Sequence, residues 1–100
     1  MDKILAQRTI EEVLAKFDFK PVHEYMQRVD WKYFYGMPSL EDIRSTARQC
    51  LEEVIHSKDS THGSVRTGGF EARLDRWENG ELYYLILEFV PFRAESYFHV

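Results

Sequence analysis

Residues 68–90, GGFEARLDRWENGELYYLILEFV, can take few forms other than a β-hairpin with two assignable faces. Asn79-Gly80 supplies the two positive-φ positions of a type I′ turn, whose twist matches that of paired strands. Closing a two-residue loop there sets Glu78 against Glu81, Arg76 against Tyr83, Leu74 against Leu85, Ala72 against Leu87 and Phe70 against Phe89. Side chains alternate along a strand, so the last four of these pairs form one largely apolar face. The other face then carries Trp77 with Leu82, Asp75 with Tyr84, Arg73 with Ile86 and Glu71 with Glu88.

Three helical segments precede this hairpin and must cover its apolar face. The first spans about Lys3 to Lys16, with Leu5, Ile10, Val13, Leu14 and Phe17 near helical spacing. Thr9 and Glu12 also match a capping box, which allows the regular helix to begin there instead. The second starts at Asp18 as N-cap, tolerates Pro21 in its first turn, and repeats Val22, Tyr25, Met26 and Val29 on one side. After the aromatic cluster Trp31–Tyr35 and Gly36-Met37-Pro38, Ser39 caps the third. Its stripe is Leu40, Ile43, Ala47, Cys50, Leu51, Val54 and Ile55, and Arg48 with Glu52 forms an i,i+4 pair on the other side.

Lys58–Gly63 reads as a polar loop, Ser64–Thr67 as a short strand, and Gly68-Gly69 as a bulge or tight bend. Pro91 ends the second long strand, leaving residues 92–100 as an aromatic tail. The expected architecture is a single α+β domain over 1–100. Its helical layer covers 1–58, packed on one face of a small antiparallel sheet at 64–90 (two long strands in a hairpin plus a short strand), and the C-terminal aromatic tail covers 91–100.

Composition narrows the function classes. The formal charge is −4, and residues 59–100 hold four Lys/Arg against seven Asp/Glu, so no basic nucleic-acid-binding face is expected. No apolar run approaches the ~20 residues of a membrane span. A single cysteine forms no internal disulfide, which points to a reducing, cytoplasmic setting. His23, His56, His62 and His99 share no ligand spacing, so neither a metal nor a cofactor is expected. Cys50 lies on an apolar stripe and reads as a core residue.

Three surfaces remain. Arg66, Thr67, Gly68 and Gly69 have the ingredients of an anion nest, although a structural Gly-Gly bend is the commoner meaning of such a sequence. Glu71 and Glu88, cross-strand neighbours, resemble a weak acid pair that Arg73 would neutralise, and a solvated patch is favoured over a catalytic one. The third surface is Trp77, Leu82, Tyr84 and Ile86 with Arg73, too apolar for a sheet face meant only for water. Either the aromatic tail, a second copy of the chain or a foreign protein would cover it.

The segments FDFKPVHEYMQRVDW, MPSLEDIRSTARQCLEEV and SVRTGGFEARLD, with a strand ending LEFV, resemble a family of small uncharacterised proteins of tailed bacteriophages and prophages. The resemblance covers residues 10–90 and leaves out the part after Pro91. It carries over no catalytic residue. What it implies is a phage accessory protein in the cytoplasm of a bacterial host cell, serving host takeover or counter-defence. The expected function is therefore non-enzymatic binding of a host or defence protein, or self-association, through the outer sheet face. A small-anion or nucleotide binder using the Arg66–Gly69 bend is the alternative, and a hydrolase using Glu71 and Glu88 comes third.

Overall fold

The computed structural model describes residues 3–28, 38–56, 63–77 and 82–99; of Arg76 and Trp77 only the backbone is described. Three helices, α1 (Lys3–Lys16), α2 (Lys20–Arg28) and α3 (Leu40–Ile55), precede four strands, β1 (Gly63–Thr67), β2 (Phe70–Trp77), β3 (Leu82–Phe89) and β4 (Phe92–His99). The strands form one antiparallel meander in the order β1-β2-β3-β4. The fold is α+β as expected, with four strands in place of two long ones and a short one.

The correction lies after Pro91. The Val90–Pro91 peptide is cis, and the chain reverses within those two residues so that Phe92 pairs with Phe89. Residues 92–99 then run back along the whole of β3, with Leu85 against Ser96 and Leu82 against His99. Proline ended the strand as expected, but the chain continues as another strand and not as a tail. The β2–β3 register agrees with the pattern from Glu71↔Glu88 to Trp77↔Leu82. The Asn79-Gly80 turn itself lies outside the described residues, as do Val29, the Trp31–Tyr35 cluster and most of the polar loop.

Hydrophobic periodicity accounts for the core. Ala72, Leu74, Leu85 and Leu87 are fully buried beneath Val22, Met26, Ile43, Ala47, Leu51 and Val54, and α1 contributes Ile10, Val13 and Leu14. Burying an aliphatic side chain of this size is worth about 1.5–3 kcal/mol each. Where the helices leave room, aromatic rings fill it: Phe70 meets Phe89 at 5.1 Å and Phe17 at 5.8 Å, and Phe17 meets Phe19 at 4.7 Å.

Local chemistry sets the helix ends. Ser39 Oγ accepts from the Asp42 amide while Asp42 Oδ2 accepts from the Ser39 amide, a reciprocal capping box. Asp18 Oδ1 accepts from the Lys20 amide at the start of α2. Thr9 does not cap: α1 is already helical from Lys3, and the buried Thr9 hydroxyl donates back to the Leu5 carbonyl. Leu40 is 45% exposed at the first position of α3, outside the buried stripe. Arg48 reaches across to Glu11 of α1 instead of Glu52, and this guanidinium holds the Glu11 carboxyl below its ordinary value.

Candidate binding surface

The three described helices lie on one side of the sheet, and among the described residues no helix lies on the other. Two consequences of the strand count shape that side. β4 adds a row of its own, Arg93, Glu95, Tyr97 and His99, all exposed, because its other residues Ala94, Ser96 and Phe98 point into the core. The segment expected as a cover therefore widens the outer face instead of closing it.

At the centre of this face Ile86 is only 3% exposed although no described helix stands over it. Its cross-strand neighbours are Arg73 on β2 and Glu95 on β4, with Tyr84 and Glu88 two residues away on its own strand. Long side chains of this kind cover an aliphatic residue with their stems while their charged heads stay in water. Toward the β2–β3 turn the face becomes aromatic. Tyr84 meets Tyr97 edge-on at 5.2 Å, Tyr97 is 58% exposed, and Lys16 Nζ lies 5.8 Å from the Tyr97 ring centre. Leu82 is half-buried one row further, and the Trp77 backbone pairs with it; the Trp77 side chain lies outside the described residues.

Toward the opposite end the face is charged but internally neutralised. Arg66 donates to Glu71 at 2.6 Å, Arg73 lies 4.0 Å from Glu71 and 3.9 Å from Asp75, and Arg93 donates to Glu95 at 3.3 Å. Each cation of this end thus has an anion on the same surface. Exposed pairs of this kind contribute at most about 1 kcal/mol each. Their consequence is electrostatic: they leave no strong field of either sign.

The two other sequence-derived sites fall together. The Gly68-Gly69 bend is the two-residue loop between β1 and β2, with φ of 58° and 88°, and Thr67 pairs with Phe70 across it. It is a tight turn, not a bulge. Beside it a groove of about 530 Å³ is lined by Arg66, Thr67, Gly68, Gly69, Glu71 and Glu88, among others. An anion entering this groove would meet two carboxylates and an arginine already bound to one of them. Glu71 is likewise held by two arginines. Arg66 was the neutralising partner invisible to the hairpin pattern, because it comes from β1.

Among the described residues no three His, Cys, Asp or Glu side chains are grouped to hold a metal ion. Cys50 is buried, donates to the Val65 carbonyl at 3.1 Å, and has its thiol pKa raised by burial, so it is held away from the reactive thiolate. Among the described residues no helix is long and apolar enough to cross a membrane.

Sequence reasoning missed Tyr97, an exposed aromatic of this face, together with Arg93 and Glu95. Its signal was present in the alternation of Phe92, Ala94, Ser96 and Phe98 with charged and aromatic residues. Comparison with protein-family models, with curated proteins and with solved structures finds no match to this chain.

Proposed function

We propose that this chain is a non-enzymatic binding domain whose outer sheet face, centred on Tyr84 and Tyr97, takes a protein partner. The observation that carries the reading is the exposed aromatic end of that face: Tyr97 stands 58% exposed against Tyr84, beside half-buried Leu82, on the side of the sheet that none of the described helices covers. Aromatic residues ringed by paired charges are the composition of an interface centre with a polar rim. The neutralised charges argue for a partner chosen by shape and apolar contact more than by net charge. The phage-type resemblance of residues 10–90 suggests that the partner is a host or defence protein, with self-association through the same face as the alternative.

The test compares the parent with Tyr97→Glu, which places a charge on the exposed ring position and leaves the core untouched. Tagged protein is purified from expressing bacterial cells, and its sedimentation is measured in parallel. The expected outcome is a defined partner, or a dimer, seen with the parent and lost in the variant at unchanged melting temperature. If parent and variant retain the same proteins and sediment alike, this face is not the binding surface.

A further inference from the structure

We propose a second binding surface, the free edge of β4, where an extended acidic peptide adds as a fifth strand in the groove between β4 and α1. This goes beyond the outer-face reading and does not depend on it.

The argument begins with which backbone groups β4 leaves unpaired. In an antiparallel ladder, hydrogen-bonded and non-hydrogen-bonded pairs alternate, and the pair flanking a two-residue loop such as Gly68-Gly69 is of the bonded kind. Thr67↔Phe70 is that pair, so the even residues of β2 face β1 and the odd ones face β3. Carrying the alternation through the registers makes Leu85↔Ser96 and Leu87↔Ala94 bonded pairs. The amides and carbonyls of Arg93, Glu95, Tyr97 and His99 then point away from the sheet. A separate observation agrees: the Glu95 carbonyl accepts from Lys16 Nζ of α1 at 3.2 Å, as a carbonyl not facing β3 is free to do.

Lys16 occupies that one carbonyl and also donates to Ser96 Oγ, which in turn donates to Glu12. Among the described residues nothing bonds the outward backbone groups of Tyr97 or His99. Long unpaired edges of this kind either are blunted or serve as templates for another strand. Here one position is blunted and the rest is open. β4 is eight residues long and pairs with β3 without a bulge, whereas the other edge, β1, has five residues.

The open part of the edge borders a groove of about 300 Å³, lined by Leu5, Arg8 and Glu12 of α1 and by Tyr97, Phe98 and His99 of β4. An added strand lies about 4.8 Å from its neighbour, and alternate side chains of that strand would enter this groove against Leu5 and Phe98. Arg8 is exposed and has no ion-pair partner among the described residues, and Lys16 stands at the far end. Glu12 is the one acid among the described lining residues, and it already accepts the Ser96 hydroxyl. The groove therefore favours a segment with an apolar residue facing inward and an acidic residue within reach of Arg8.

A combinatorial library of eight-residue peptides screened on the full chain tests this. The expected binders carry an apolar and an acidic residue two positions apart, on the one strand face that meets Leu5 and Arg8, protect the Tyr97 and His99 amides from hydrogen exchange, and weaken at least tenfold with Arg8→Glu. N-methylation at alternate peptide positions should abolish binding in one phase and spare it in the other, because only one set of peptide amides faces β4. Arg73→Ala, on the outer face of β2 and two strands from the β4 edge, should leave this binding unchanged, which separates it from the outer face. A library that yields no binder, binders whose footprint spares β4, or binding indifferent to the N-methylation phase would each overturn the proposal.

Discussion

Gly69 shows how much one position can be asked to do. Its φ of 88° is in the region that L side chains avoid, and a Cβ built there would lie 2.5 Å from Cε2 of Phe89. Positive φ alone costs a non-glycine residue about 1–2 kcal/mol, and Phe89 cannot swing aside freely because it is buried against Phe70. Gly69→Ala should therefore destabilise the protein by at least about 2 kcal/mol, read as a lowered denaturation midpoint. A change under half of that would mean that the Phe89 ring is not fixed over the turn. The sequence marked Gly68-Gly69 as a bend, but the reason for the second glycine was not legible there. It depends on a ring that arrives from β3, twenty residues later.

At the scale of elements, what could be read in advance was whatever repeats. The register of β2 against β3, the stripe of α3 apart from its first member Leu40, and its Ser39 cap all follow from period and from local hydrogen bonding, and stand in the structure. Partners across elements were less legible: Arg48 chose Glu11 over its i+4 neighbour once α1 had been laid beside α3. The largest error came from treating Pro91 as the end of the sheet, although a proline in a two-residue loop reverses a strand as readily as it stops one. A consequence follows for truncation. β4 places Ala94, Ser96 and Phe98 among the buried residues, with Phe98 stacked on Tyr83 at 5.3 Å. A chain ending at Val90 should lose the cooperative thermal transition seen by circular dichroism. Retention of a sharp transition near the parent midpoint would show β4 to be dispensable, and the tail reading would regain its place.

At the scale of the whole molecule, the asymmetry between the two sheet faces is what links fold to function. Leu87 and Ile86 are adjacent in sequence and both are buried, at 0% and 3% exposure, yet for different reasons. Leu87 is enclosed by helices that cannot collapse around a missing side chain without moving as bodies. Ile86 lies on the sheet face away from the described helices, beside Arg73 and Glu95, whose long stems can close over a small gap. Leu87→Ala should cost about 2–5 kcal/mol, as rigid core sites do, and Ile86→Ala distinctly less, about 1–2 kcal/mol, since the cavity term grows with what cannot relax. Equal penalties in urea denaturation would mean that the outer face is as rigid as the core, and its side chains would be no adaptable contact surface. An unequal pair sharpens the binding question, because Ile86 can then be truncated in a folded protein. If a partner seats on this face, Ile86→Ala should weaken its binding by more than the stability loss accounts for. The flexible cover that protects Ile86 in the free protein is what a partner would have to displace or press into place.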